Sequence, residues 1–106
     1  MANNFRNAKL DLTTTDVTTL YTAGTATRGI FRSILISNDS GSNDSITLTL
    51  TNGTDVFSIY KSEAVNANST KELLTQPLVV EESEILKVTA TTANRLHVVA
   101  SYLEIT

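Results

Sequence analysis

Few residues in this chain could do covalent chemistry. His97 is the only histidine and cysteine is absent. A serine or threonine becomes a nucleophile only beside a base, so any hydrolytic site would have to be built on His97. That residue sits between Leu96 and Val98-Val99, in a run that alternates like a strand. No Gly-x-Ser-x-Gly elbow accompanies it. His97 therefore reads as a packed or interface residue, and the chain is expected not to be an enzyme.

Carboxylates are the next candidates. Glu81, Glu82 and Glu84 cluster in a short polar stretch, and paired carboxylates can share acid–base work. Acidic residues at a turn between strands more commonly form a solvated rim. A sugar-cleaving site would also want aromatic platforms, and the chain has no Trp, three Phe and three Tyr. One histidine without cysteine does not make an ordinary zinc site. Asp39 and Asp44 could offer oxygen ligands to Ca²⁺, but their spacing does not follow the EF-hand loop, so residues 38–44 read as a structural turn. Gly24, Gly29, Gly41 and Gly53 are isolated and form no phosphate cradle. Asn38, Asn43, Asn52 and Asn68 each open an Asn-x-Ser/Thr triplet, which matters only for an exported protein. No cofactor or metal is expected.

The bulk properties agree with a binding or structural role. The chain has 106 residues, 41% of them hydrophobic and 18% charged, with a net charge of -3. That suits one folded domain, away from the composition of disorder. The eight Lys and Arg residues are scattered and form no basic stripe, so nucleic acid is not an expected partner. No apolar run approaches the ~20 residues a membrane helix needs, and the first eleven residues contain no apolar signal core. Synthesis in a reducing cytoplasm without export is expected, in keeping with the lack of cysteine.

The elements that would carry these residues read as strands. Thr and Asn are abundant, and β-branched Thr suits a pleated surface. Ser45 to Thr51 is the clearest case: Ile46, Leu48 and Leu50 point one way and Thr47, Thr49 and Thr51 the other. Asn52-Gly53 follows, then Asp55 to Lys61, which predicts a hairpin over 45–61 closed by a type I′ turn. Residues 28–38 place Ile30, Ile34 and Ile36 on one face and Phe31 and Leu35 on the other, predicting a strand covered on both faces. Residues 16–23, 84–90 and 95–105 read as further strands. Pro77 marks a bend or an edge between Leu73-Leu74 and Leu78-Val79-Val80, and residues 64–69 read as a loop.

About seven or eight short strands with turns every ~8–12 residues predict an all-β fold. The expected architecture is a two-layer antiparallel β-sandwich, jelly-roll-like, over residues 13–106, with residues 1–12 as an extended N-terminal arm. Two surfaces stand out as candidate interfaces: the arm with Phe5, Leu10 and Leu12, and the threonine face Thr47, Thr49 and Thr51. Threonine faces can pack against another protein at small desolvation cost, and open sheet edges invite strand addition.

The second half of the chain adds a family likeness. Pro77-Leu78-Val79-Val80-Glu81-Glu82-Ser83-Glu84-Ile85-Leu86-Lys87-Val88-Thr89-Ala90 and His97-Val98-Val99-Ala100-Ser101-Tyr102-Leu103-Glu104-Ile105-Thr106 resemble small virion proteins of tailed bacteriophages, especially marine and cyanobacterial ones. Met1-Ala2-Asn3-Asn4-Phe5-Arg6-Asn7-Ala8, Leu20-Tyr21-Thr22-Ala23 and Ser33-Ile34-Leu35-Ile36-Ser37-Asn38 fit the same pattern. That group usually has glycine at the acidic turn, where this chain has Ser83-Glu84. The resemblance implies a structural protein present in many copies in the virion. The expectation is a capsid decoration or cement protein that binds the assembled shell and self-associates, with the major capsid protein or another virion protein as partner. A tail, neck or fibre-base adaptor is the alternative. A carbohydrate-binding adsorption module is less favoured, because aromatics are few.

Overall fold

The computed structural model describes residues 2–106 and contains nine strands. In chain order they are β1 (Asn3–Asp11), β2 (Thr18–Thr22), β3 (Arg28–Asn38), β4 (Asp44–Thr51), β5 (Val56–Val65), β6 (Ser69–Glu72), β7 (Leu78–Val80), β8 (Ile85–Ala90) and β9 (Leu96–Ile105). They form two antiparallel sheets. The first has the order β1-β9-β3-β6 with β7 also on β3, and the second β2-β8-β4-β5. The pairings nest from the chain ends inward, β1 with β9, β2 with β8, β3 with β6 and β7, β4 with β5, as if one long hairpin had been wound around the core. Most contacts are therefore distant in sequence, and the core closes only when both ends of the chain are in place.

Alternation explains the core. Ile46 and Leu48 from β4, Leu86 and Val88 from β8, and Leu96, Val98 and Ala100 from β9 are all sealed from solvent. At one end Phe31 stacks on Tyr102 with ring centroids 4.7 Å apart and meets Tyr21 edge-on at 5.2 Å. Gly29 lies under this cluster: an added methyl would come within 2.8 Å of Cε2 of Tyr21. Gly29→Ala is thus expected to push the ring aside and cost about 1–2 kcal/mol in a urea melt.

Four sequence expectations change. Residues 3–11 are not a free arm but the edge strand β1, paired along its whole length with β9. Leu12 follows it into the core at 2% exposure, because the chain must turn inward there to reach β2. The β3 strand is not covered on both faces. A bulge between Phe31 and Ser33 resets its alternation, so Phe31, Ile34 and Ile36 all point inward while Leu35 stays 38% exposed. The hairpin over β4 and β5 forms, but its turn is a four-residue loop, with Thr51 opposite Val56. Gly53 alone takes a positive φ there, 96°, whereas a type I′ turn needs two. Asn52 instead accepts hydrogen bonds from the N–H groups of Thr54 (3.0 Å) and Asp55 (2.8 Å) through Oδ1. Finally, the loop predicted over 64–69 shrinks to residues 66–68: Ala64 and Val65 end β5 and Ser69 opens β6.

The departure at the acidic turn has a local reading. Ser83 has φ 68°, the left-handed conformation that glycine adopts without strain. The backbone geometry there is glycine-like although the residue is serine. Its N–H donates to the Ala23 carbonyl at 2.9 Å, and Ala26 N–H donates to Glu82 at 2.7 Å.

Candidate functional site

The chemistry-bearing residues do not converge. His97 lies on the outer face of the first sheet, 43% exposed at its side chain, with Nε2 3.2 Å from Asp11 and Nδ1 3.7 Å from Asp39. Its ring faces two carboxylates. Glu82 and Glu84 hold the turn that carries them, since Glu84 accepts from the Glu81 N–H at 2.8 Å. Asp44 is 8% exposed and both its oxygens accept from the Thr92 N–H. Among the described residues no group of three His, Asp or Glu side chains comes together in a way that could hold a metal.

The polar groups that are buried serve the framework. Asn38, 1% exposed, donates through Nδ2 to the carbonyls of Ser42 (2.9 Å) and Val65 (3.1 Å). Its Oδ1 accepts from the N–H and Oγ of Ser40. At the other end of the sheet Tyr21 donates to Glu104 at 2.8 Å, and Arg6 meets the same carboxylate at 3.1 Å. Burial, then the hydrogen bond and charge of Glu104, raise the Tyr21 phenol well above its usual value. Burial and the same carboxylate raise Tyr102.

Glu72 fills a gap in the sheet. The edge of β3 is served by β6 at residues 35–38 and by β7 at 29–31, which leaves the stretch between them without a strand. There Glu72 accepts from the N–H groups of Ile34 (2.8 Å) and Leu74 (3.2 Å) and from Ser33 Oγ (2.5 Å). Burial pushes its carboxyl up, but these bonds together outweigh that and lower it below 4.5. A lowered folded-state value means that the stabilisation is complete above the unfolded value and fades as pH falls through the folded one. Glu72→Gln is accordingly expected to cost about 1 kcal/mol near neutral pH, the exposed setting having screened it. The gap to the parent protein should close in melts taken progressively below pH 4.5.

The surfaces remain as candidates. Of the residues named from sequence, Phe5 is 77% exposed, Leu10 packs half-buried against the core, and Leu12 is inside it. Phe5 is the most exposed of that trio. Thr47 and Thr49 are half-buried on the outer face of the second sheet. Thr51 is 6% exposed, and its hydroxyl donates to the Asp55 carbonyl (2.7 Å) and accepts from the Gly53 N–H (3.0 Å). A groove of about 460 Å³ runs over this face, lined by Thr47, Thr49 and Thr51 together with Val17, Val56 and Lys87.

The outer face of the first sheet was not singled out from sequence. The registers set Phe5 of β1, Leu103 of β9, Ile30 of β3 and Val79 of β7 side by side in one row. The next row holds Ser101 of β9 and, past the bulge, Ser33 of β3. After it comes the row Lys9, Val99, Leu35 and Glu72. Phe5, Val79, Val99 and Leu35 are 77%, 43%, 41% and 38% exposed, so their apolar side chains share one face of the sheet. The missed signal was the β3 bulge, which turns Ile30 and Leu35 to the same side.

No protein-family model and no curated protein sequence matches this chain. Its fold is similar to two solved structures, both described as a pentameric capsid protein isolated from metagenomic phage sequences. The TM-score is 0.50 for each, at 17% and 18% identity over 94% of this chain. This chain spans 59% and 64% of the length of those two proteins. At that identity the likeness establishes a shared β-sandwich fold.

Proposed function

We propose that this chain is a structural protein of a phage virion, a capsid decoration or cement protein that self-associates and acts without catalysis. The observation that supports it most is the fold shared with two pentameric phage capsid proteins along 94% of the chain. The sequence resemblance to tailed-phage virion proteins agrees with it. The mechanism is binding: a rigid sandwich contacts neighbouring shell subunits that come together only after assembly. It thereby stabilises the closed shell by mass action, as any ligand of one state does. Rigidity comes from the nested pairing and adhesion from the apolar row on the first sheet.

The test is the copy number per particle, by quantitative mass spectrometry of purified virions, with the density of the whole particle to place the chain. On the order of hundreds of copies, repeating with the shell lattice, is the expected result. About a dozen copies at the neck or tail would overturn the decoration reading in favour of an adaptor. Deleting residues 2–12 is a poor probe, because it removes β1 and a core leucine together.

A further inference from the structure

We infer that β1 is a strand-addition edge for β1 of a second copy, the two strands pairing antiparallel about a two-fold axis at Asn7, perpendicular to the sheet. This deepens the self-association of the virion reading, on which it rests for its setting alone.

Backbone phase sets which groups of β1 are free. Ala2 and Thr106 exchange hydrogen bonds of 3.0 and 2.9 Å, and Leu12 N–H donates to Leu96 at 3.1 Å. Between those points β1 and β9 keep one register without a shift. Even-numbered residues of β1 therefore turn their N–H and C=O groups to β9, and odd-numbered ones turn theirs away. The Asp11 carbonyl accepts from the Thr13 N–H at 3.0 Å. Among the described residues the outward backbone groups of Asn3, Phe5, Asn7 and Lys9 have no hydrogen-bond partner, and all four residues are exposed.

The other sheet edges are blunted. β5 breaks register twice against β4 and holds Ser62 at φ 53°. β2 is five residues long, with a shift between Thr19 and Tyr21. The far edge of the first sheet is split between β6 and β7. Bulges and short or broken strands are what keep sheet edges from pairing with other chains. β1 runs for nine residues without any of them.

β1 is also its own complement. With the axis at Asn7, the midpoint of Asn3–Asp11, Asn7 faces Asn7, Phe5 faces Lys9 and Asn3 faces Asp11 of the second copy. Outward groups thus meet outward groups along the whole strand, and no like charges stand opposite. The aliphatic stem of Lys9 lies along the Phe5 ring, which is 77% exposed in the single chain. Arg6 comes opposite Ala8, its charge held by Glu104 at 3.1 Å. An axis at Arg6 or at Lys9 would shorten the ladder and set two cations face to face. An axis at Ala8 would shorten it and put Asp11 against Phe5. About eight backbone hydrogen bonds form, which makes the contact a weak, transient one in dilute solution. Among copies held side by side on a shell the effective concentration reaches about millimolar, and the edge fills.

Amide hydrogen exchange of the purified chain at about 20 µM and about 1 mM reads the contact. The amides of Phe5, Asn7 and Lys9 are expected to slow at least about tenfold at the higher concentration. Those of Arg6 and Ala8, already bonded to β9, should be slow at both. Because the chain has no cysteine, Asn7→Cys puts a single thiol at the axis, where facing Cα atoms ~5.5 Å apart suit a disulfide. It should oxidise to a covalent dimer at least about tenfold faster than Asn3→Cys, whose two copies would lie ~27 Å apart. Asn7→Pro removes an outward N–H that the fold does not use, so it should keep the thermal melt and abolish the concentration dependence. Amides of Phe5, Asn7 and Lys9 that ignore concentration, or equal oxidation of the two cysteine variants, overturn the inference and leave the virion reading untouched. Slowing that survives Asn7→Pro overturns it too, since the copies then meet elsewhere. A dimer that behaves as expected, in a chain that purified virions lack, would instead sink the proposed function.

Discussion

Replacing Phe31 with alanine is expected to remove about 3–5 kcal/mol of folding stability, the range for emptying the site of a large aromatic ring in a core. Phe31 is fully buried, and its ring packs against both Tyr102 and Tyr21, which also meet each other at 4.8 Å. Deleting it opens a cavity between the two sheets and strips Tyr21 of its edge-on partner. The Tyr21–Glu104–Arg6 chain, which links β2 to β9 and β1, would loosen with it. A domain of this size has roughly 5–15 kcal/mol in hand, so the variant should sit near the threshold of folding at 37 °C. Urea unfolding followed by circular dichroism gives the number. A shift below about 1 kcal/mol would mean that the sheets collapse onto the vacancy and that the aromatic cluster does not hold them apart.

Asn38→Ala should cost about 2–4 kcal/mol by a different route. The substitution removes little apolar contact. It leaves the Val65 and Ser42 carbonyls and the Ser40 N–H without the partner they have now, and at 1% exposure water does not replace it cheaply. The carbonyl of Val65 belongs to the end of β5, so the damage should spread from the β3–β4 turn into the second sheet. Hydrogen exchange at residues 38–44 and 64–69 is expected to speed up before the global melt moves. Asn38→Asp should be at least as harmful at neutral pH, because it exchanges two donated hydrogen bonds for carboxylate–carbonyl repulsion. Thermal melts of the two variants side by side check the ranking.

The contrast between these residues shows what pattern reading can reach. The interior of β4, β8 and β9 was legible because their alternation is unbroken: Ile46, Leu48, Leu86, Val88, Leu96, Val98 and Ala100 fall on one side and are buried. In β3 the same rule failed by one residue. The bulge after Phe31 leaves no mark in composition, since it is decided by how β3 must bend to meet β9 on one edge and two short strands on the other. The segment before Leu12 failed for a related reason. Residues 3–11 have too few apolar side chains to read as a strand, and they become one because the free edge of β9 offers a ladder. Asn38 looked like an ordinary turn residue, and its importance lies in reaching Val65, 27 positions away.

The candidate surfaces divide in the same way. Thr47 and Thr49 lie on the outward side that their spacing requires. The row Phe5, Leu103, Ile30, Val79 draws on four strands from both ends and the middle of the chain, and no window of sequence contains it.

Sequence by itself determined the class of this protein: β-branched alternation and turn residues at short intervals specify stacked antiparallel sheets. Those are local properties, set by which side chains follow one another. Strand order, the β3 bulge, the capture of residues 3–11 and the apolar row were decided only by tertiary structure. Each depends on backbone hydrogen bonds and packing between segments far apart in the chain, and their energies exist only once those segments have met.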